Sequence, residues 1–233
     1  SSAVDVTSAI SHAACTTAYD LGAKAIFAVT QTGGTARMMS KYRPNIPRIG
    51  CTPSKKVLRQ LTISWGVVPM LVENAQNSDE LFEMVVATAF ERGLIEQGEL
   101  VVITGGVPVG VSGTTNMLKV HLAGNVLMKG TGVNSLSGCG RLCIAMTDEE
   151  AKSKFQDGDI LVMPRTSKNI LSLIKRSSGI IAEEAGDESH AAIIGTAIDI
   201  PVIVGAYNAT NVLKNGTTIK IDAQKGFIST TDN

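Results

Sequence analysis

Long apolar runs separated by amphipathic helical patterns most constrain how this chain can fold. Three of the runs are AKAIFAVT (23–30), VVPMLV (67–72) and ELVVITGG (99–106). A strand that is apolar along most of its length is buried on both faces, as in the parallel sheet of an α/β domain. Residues 1–124 are therefore predicted to form a three-layer α/β/α domain around a mostly parallel sheet.

Helical patterns lie between these runs and carry recognisable start and stop signals. An amphipathic stretch from Val4 to Leu21 closes at Gly22, and a second helix is predicted near 35–42. Thr52-Pro53 predicts the N-cap and first residue of a helix that continues to about 62. Ser78 is expected to cap the next helix, which ends at Gly93.

The character of the sequence changes at about residue 123. The strand TNMLKVHL (115–122) closes the first half, and a glycine-rich, strand-like stretch follows. Little helix is expected before TDEEAKSKF (147–155). The second domain is predicted over residues 127–233, with a boundary within 122–130. Its strands are expected at 158–163, 179–182, 202–204 and 217–221, and its helices near 167–176 and 189–197.

Charge and hydropathy exclude several classes of function. Lys plus Arg equals Asp plus Glu at 21 each, which gives no reason to expect a nucleic-acid partner. No apolar run approaches the ~20 residues of a membrane-spanning helix. No signal peptide is visible, so a cytoplasmic location is expected. Because the chain begins Ser1-Ser2 immediately before a helical pattern, we expect it to be a piece of a longer protein.

The four cysteines are too few and too scattered for a disulfide framework, so buried reduced thiols are expected at Cys15, Cys51, Cys139 and Cys143. The spacing of Cys139 and Cys143 would place both on one face of a strand. None of the three histidines lies near a cysteine pair in the sequence, so no metal site is predicted.

Two glycine- and threonine-rich loops follow predicted strands. The first, VTQTGGTAR (29–37), combines hydroxyls, two glycines and a helix start, which are the components of an oxyanion site. The second is TGGVPVGVSGTTN (104–116). Loops after two strands of one parallel sheet meet at its carboxyl edge, where ligands bind. No Walker A or GxGxxG pattern is present, and ordinary βα turns carry the same residues, so both interpretations stand.

Residues 3–122 closely resemble the C-terminal domain of pyruvate kinases, through LGAKAIFAVTQTGGTARMMSKYRPNIPRIGCTP, GELVVITGG and GTTNMLKV. The resemblance implies that the first loop holds a phosphate of an allosteric activator and that the second closes over it. The implied phosphate-binding residues are Thr30, Gln31, Thr32, Gly33, Gly34, Thr35, Arg37, Gly110, Ser112, Gly113 and Thr114. It also implies that catalysis, with Mg and K, belongs to a barrel domain outside this chain, assisted by a lid domain. The piece alone is then expected to be inactive and to need no cofactor.

One departure from the family pattern indicates how many phosphate groups the activator carries. Members activated by a sugar bisphosphate usually supply a cation for the second phosphate from the helix after the third strand. Here that helix is NSDELFEMVVATAFERG, with Leu81 near the position where the cation is expected. We therefore predict an effector with a single phosphate, such as AMP or ribose 5-phosphate.

Residues from about 128 to 233 resemble the swivelling phosphohistidine domain of phosphoenolpyruvate-using enzymes, which implies a smaller β/β/α domain. The resemblance runs through GDILVMPRTS, GIIAEEAGDESHAAIIG and NGTTIKIDAQKGFI. It would make His190 the phosphate carrier. However, Ala185 and Glu188 replace a glycine and a threonine of the family pattern. At ~5 Å and an effective dielectric of ~20, Asp187 or Glu188 would each oppose a phosphate by about 3 kcal/mol.

Two hypotheses follow from these resemblances. In the first, the chain is a regulatory and oligomerisation region that binds a phosphorylated small molecule. It then contacts the catalytic barrel of the parent enzyme and belongs to a homo-oligomer, a tetramer in the parent. In the second, it is a phosphocarrier module that transfers phosphate through His190.

Overall fold

The computed structural model describes residues 5–107, 109 and 115–231, which form two compact units divided between Gly124 and Asn125. In the first unit the elements follow one another as α1 (Val6–Asp20), β1 (Ala25–Val29), α2 (Gly34–Tyr42), β2 (Arg48–Thr52), α3 (Lys55–Leu61), β3 (Val67–Leu71), α4 (Ser78–Glu91), β4 (Leu100–Gly105) and β5 (Met117–Leu122).

The five strands of the first unit form one sheet in the order β3-β2-β1-β4-β5. The first four are parallel, and β5 pairs antiparallel with β4 at the edge. Side chains on one face pack with α4 around Phe27 and Ile103, and those on the other face pack with α1, α2 and α3 around Ile26 and Val102. The predicted α/β/α layering is confirmed.

The second unit contains β6 (Val126–Lys129), β7 (Thr131–Gly132), β8 (Ser137–Ile144), α5 (Asp148–Lys154), β9 (Ile160–Met163), a 3₁₀ turn (Lys168–Ile170), α6 (Leu171–Ile174), β10 (Gly179–Ala182), α7 (His190–Ala197), β11 (Val202–Val204), α8 (Ala209–Val212), β12 (Thr218–Asp222) and β13 (Phe227–Thr230). Its eight strands follow the order β6-β13-β12-β8-β9-β10-β11-β7.

Two cores lie on opposite faces of the parallel strands β9, β10 and β11. One contains Leu161 and Ile180 and packs against the helices α5, α6 and α7. The other contains Val162 and Ile181 and packs against apolar side chains of β12 and β13, including Ile219. This is the β/β/α layering expected from the sequence.

The ends of the second unit's sheet meet at a single glycine. Gly130 alone separates β6 from β7, which are the first and last strands of the order. Its amide donates to the Gly226 carbonyl oxygen at 2.9 Å, beside β13. A Cβ at Gly130 would lie 2.5 Å from Cγ2 of Ile203 and 2.7 Å from the backbone oxygen of Val204 on β11, so no other residue fits here without displacing the strand.

Two helix starts differ from the sequence predictions. Ser54, and not Thr52, caps α3: its hydroxyl accepts from the Val57 amide at 3.3 Å, whereas Thr52 is the last residue of β2. Asn77 caps α4 by accepting from the Glu80 amide at 2.9 Å, one residue before the predicted Ser78. In both cases the cap is the residue whose extended backbone directs its side chain toward the free N–H groups of the first turn.

The other differences concern element bounds and one cysteine. The helix predicted at 167–176 is split into a 3₁₀ turn and the four-residue α6, and the strand predicted from 115 starts at Met117.

Cys15, Cys51 and Cys143 are buried, and burial raises the pKa of each thiol. The prediction of burial is wrong for Cys139, which is exposed on β8 where that strand pairs with β12.

Candidate functional site

The first candidate site lies where the strand order of the first unit reverses. From β1 the chain moves outward to β2 and β3, and then returns to place β4 on the other side of β1. The loops that follow β1 and β4 therefore start from neighbouring strands at the carboxyl edge of the sheet. Crevices at such a switch point are the usual ligand sites of open α/β sheets.

A buried threonine and a left-handed glycine shape the first loop. Thr30 is 7% exposed, and its Oγ1 accepts from the Gly33 amide at 2.9 Å. Gly33 adopts φ 80°, and a Cβ there would lie 2.6 Å from Nη1 of Arg37 and 3.1 Å from Val57. This turn delivers the chain into α2 and leaves little room for a side chain at Gly33.

Helix α2 begins without a side-chain cap. Gly33 is its N-cap residue and has no side chain to accept a hydrogen bond from the first turn. The N–H groups at a helix start carry a positive partial charge and can bind an anion. An oxyanion at this point would therefore occupy the place that a capping side chain takes in other helices.

A hydroxyl and a cation are exposed beside this bare helix start. Thr32 and Arg37 are both exposed, and the Nη2 of Arg37 donates to the Thr32 carbonyl oxygen at 3.0 Å. Gln31 and Gly34 are half-buried next to them. The accessible hydroxyl, the guanidinium and the helix start together suit a phosphate, which accepts hydrogen bonds and carries negative charge.

The remaining threonine of this loop contacts the exit of the second loop. Thr35 and Thr115 are 4% and 5% exposed, and their Oγ1 atoms are 2.5 Å apart. The contact joins residues that are 80 apart in sequence. Sequence analysis did not include Thr115 among the site residues, and no local pattern distinguishes it from its neighbour Thr114.

Four predicted residues of the second loop, Gly110, Ser112, Gly113 and Thr114, lie outside the described residues. The neck of the loop is described and is held by Asn116. Its Nδ2 donates to the Val107 carbonyl oxygen at 2.8 Å, and its Oδ1 accepts from the Val107 amide at 2.9 Å. Asn116 also donates its backbone amide to the Gly105 carbonyl oxygen at 3.1 Å.

Helix α4 offers no cation in its first turns. Leu81 is 7% exposed and belongs to the core, and the first turn carries Asp79 and Glu80. The structure adds one cation that the sequence analysis missed, Lys119 of β5. Its Nζ lies 3.6 Å from a carboxylate oxygen of Asp79 and 5.7 Å from the centre of the Phe82 ring. Lys119 is thus already paired with α4.

The second candidate site is the loop that leads from β10 into α7. Ser189 caps this helix, and its hydroxyl accepts from the Ala192 amide at 3.3 Å. Gly186 adopts φ 109°, and Asp187 and Glu188 are exposed just before the cap. One donor of this helix start is therefore satisfied by the chain itself, and two carboxylates precede it.

His190 is held by a neighbouring threonine. Its Nδ1 lies within hydrogen-bond distance of the Thr166 Oγ1, at 2.8 Å, and Thr166 is 5% exposed. The other ring nitrogen, Nε2, is buried and has no hydrogen-bond partner among the described residues. In this conformation neither nitrogen is free and accessible to attack a phosphorus atom.

A hydrogen-bonded carboxylate near His190 was also missed by sequence analysis. Oδ2 of Asp148, at the start of α5, accepts from the Ser167 hydroxyl at 2.6 Å and from the Asn169 amide group at 3.0 Å. These hydrogen bonds, that from Ser167 first, lower the pKa of Asp148, and the nearby charges of Lys152 and His190 act in the same direction.

Within residues 5–107, 109 and 115–231, no group of three or more His, Cys, Asp and Glu side chains is arranged to hold a metal ion. None of the helices in these ranges is both long enough and apolar enough to cross a membrane.

Comparison with protein families identifies both units. Residues 8–121 match the family described as pyruvate kinase, alpha/beta domain. Residues 155–226 match the family described as PEP-utilising enzyme, mobile domain.

Individual relatives contain both units together. The chain is 44% identical over 224 residues to a pyruvate kinase of Lactobacillus delbrueckii subsp. bulgaricus and 41% identical over 223 residues to that of Geobacillus stearothermophilus. Each alignment covers 96% of this chain and 38% of the relative. Among solved structures, a pyruvate kinase from Cryptosporidium parvum aligns with 53% of this chain and 24% of its own, at 34% identity and a TM-score of 0.48.

Proposed function

Because the chain belongs to the pyruvate kinase family, with the domain content of the C-terminal region of bacterial members, we infer that it is a regulatory region that binds a phosphorylated effector. The effector phosphate binds at the start of α2, between Thr30 and Arg37. The observation that carries this proposal is the bare helix start, where an exposed hydroxyl and an exposed guanidinium flank uncapped N–H groups.

The effector carries a single phosphate. Its phosphate accepts from the hydroxyls of Thr32 and Thr35 and from the first-turn amides of α2, while Arg37 neutralises part of its charge. A second phosphate would need another cation, but α4 begins with Asp79 and Glu80, and Lys119 is engaged by Asp79. AMP and ribose 5-phosphate are ligands of this kind.

In the parent enzyme the region regulates a reaction that takes place elsewhere. The reaction is the cytoplasmic, glycolytic conversion of phosphoenolpyruvate and ADP to pyruvate and ATP. It requires Mg and K, which would bind at a barrel domain outside this chain. We expect the chain alone to be inactive. In the parent enzyme we expect it to contact the barrel and to take part in a homotetramer.

Titration calorimetry of the chain with AMP, ribose 5-phosphate and fructose 1,6-bisphosphate tests the proposal. We expect the two monophosphates to bind, and the bisphosphate to bind no more tightly. Replacing Thr32 and Thr35 together by Ala removes two donors to a charged acceptor and should weaken monophosphate binding at least about tenfold. Thr16→Ala, an exposed threonine on α1, is the matched control. Tight binding of the bisphosphate without a response to monophosphates would contradict the proposal.

A phosphocarrier role of His190 is the second candidate, favoured by its position at the start of α7 and by the family match of the residues around it. The buried Nε2, the Ser189 cap and the exposed Asp187 and Glu188 all oppose it. Incubating the full-length enzyme with labelled phosphoenolpyruvate is the direct test. An acid-labile, base-stable label that disappears in His190→Ala would reverse this ranking.

A further inference from the structure

Thr115 is not among the residues of the proposed effector site, but its side chain contacts one of them. Its Oγ1 lies 2.5 Å from the Oγ1 of Thr35, and both side chains are almost completely buried. No other hydrogen-bond partner of either hydroxyl is present among the described residues. The two hydroxyl groups therefore share one hydrogen bond, in which either oxygen can be the donor.

The position of Thr115 is fixed by its neighbour. Asn116 is tied to Val107 by two hydrogen bonds and to Gly105 by a third, so the backbone on both sides of the loop neck is held together. Thr35 is equally fixed, because it lies in the first turn of α2 directly after Gly34. The contact thus joins two backbone segments that hydrogen bonds hold in place, one at the loop neck and one in the first turn of α2.

An incoming phosphate dianion imposes a direction on this pair. The dianion has no proton to donate, so Thr35 can contact it only by donating its own O–H. Thr35 is then available as an acceptor, and the proton between the two oxygens must come from Thr115. A hydroxyl that accepts one hydrogen bond becomes a better donor of the next, because each bond polarises the other.

We propose that Thr115 is a positioning residue of the effector site, which donates to Thr35 and thereby directs the Thr35 hydroxyl toward the effector phosphate. This inference rests on the proposed function and names a member of that same site. It also implies that phosphate binding at α2 and the exit of the second loop are coupled through a single hydrogen bond.

The test compares variants of Thr35 and Thr115 by titration calorimetry with AMP, ribose 5-phosphate and inorganic phosphate. Thr115→Val keeps the shape of the side chain and removes the donor, so binding should weaken about three- to tenfold. Thr115→Ser keeps the hydroxyl and should bind within about twofold of the wild type. Thr115→Ala serves as a second deletion variant if the valine variant does not fold.

A double-variant cycle distinguishes positioning from general stability. If Thr115 acts through Thr35, Thr115→Val should have no further effect on binding in a Thr35→Val background, although it lowers affinity in the wild type. A loss of the same size in both backgrounds, or a Thr115→Val variant that binds like the wild type, would overturn the inference and leave the proposed function standing. A wild-type chain that binds none of the three phosphates would overturn both.

Discussion

Two helices of this molecule begin in the same way topologically, yet only one start is open to an anion. Both α2 and α7 follow a parallel strand and a short loop that contains a glycine with positive φ. At α2 the capping position is Gly33, and Arg37 lies one turn further on. At α7 the hydroxyl of Ser189 occupies the capping position, and Asp187 and Glu188 precede it.

We infer from this difference that a helix dipole alone does not predict a binding site. Each helix start has free N–H groups and a positive end, but the chain itself decides whether a ligand can reach them. A serine cap satisfies one donor internally, and carboxylates repel the incoming charge. A glycine cap with a neighbouring arginine leaves both the hydrogen-bonding capacity and the charge available.

The largest expected contrast between the two sites concerns their glycines. Gly33→Ala and Gly186→Ala both place a side chain at positive φ, so each should destabilise its unit by about 1–2 kcal/mol. Only Gly33→Ala also displaces the Arg37 guanidinium, since the new methyl group would lie 2.6 Å from its Nη1. We expect AMP binding to weaken at least about tenfold in Gly33→Ala and to stay unchanged in Gly186→Ala, as measured by calorimetry.

An equal loss of AMP binding in both glycine variants would contradict this expectation. It would mean either that the ligand binds at both helix starts or that the loss comes from general destabilisation. Urea unfolding of each variant provides the control for stability.

A smaller contrast concerns the caps themselves. Ser189→Ala removes the hydrogen bond to the Ala192 amide and should lower the free energy of unfolding of the second unit by about 1 kcal/mol. Thr32→Ala changes an exposed residue that does not cap α2, so its effect on the first unit should be below about 0.5 kcal/mol. Hydrogen exchange during urea unfolding measures the stability of each unit separately. If Thr32→Ala destabilised the first unit as much as Ser189→Ala destabilises the second, Thr32 would have to cap α2.

The smallest expected contrast is in pH dependence. Burial, and then the charge of Lys119, lower the pKa of His121 in the first unit. Its neutral form is favoured in the folded state, so its contribution to stability is present above about pH 6.5 and is lost as the pH falls through the folded pKa. The pKa of Asp148 in the second unit is lowered too, but its contribution is lost only below about pH 4.

Between pH 7.5 and pH 5.5 the first unit should therefore lose a small amount of stability that His121→Gln does not lose. The Asp148 contribution should be constant over this interval, and Asp148→Asn should alter the profile only at lower pH. Unit-resolved hydrogen exchange at several pH values checks both statements. A wild-type first unit with the same profile as His121→Gln would contradict the first of them.

Features carried by a local pattern could be predicted from the sequence. The apolar runs predicted the parallel sheet, because a strand that is buried on both faces contains few polar residues. The starts of α2, α3, α4, α5 and α7 were predicted to within two residues, whereas α6 starts four residues later than predicted and the short α8 was not predicted. The error at Ser78 arose because Asn77 and Ser78 are both good caps, and only the backbone angle at Asn77 decides between them.

Features that depend on the meeting of distant segments could not be predicted. The Thr35–Thr115 contact joins two ordinary threonines, and the contact between Thr166 and His190 joins the loop after β9 to the first residue of α7. Burial of Nε2 likewise depends on how α7 packs, and the exposure of Cys139 depends on which part of β8 is covered. The sequence already disfavoured His190 as a phosphate carrier because of Asp187 and Glu188. The contact with Thr166 and the buried Nε2 add a reason that only the structure provides.

The glycine between β6 and β7 has a consequence for how the second unit behaves beside other proteins. A sheet whose first and last strands are joined through Gly130 presents neither of them as a long unpaired edge, and such edges are where sheets of different molecules add to one another. The sheet of the first unit instead ends in two separate strands, β3 and β5. A substitution at Gly130 would thus do more than strain a turn: by parting the two ends of the sheet, it would convert a self-contained module into one prone to aggregate.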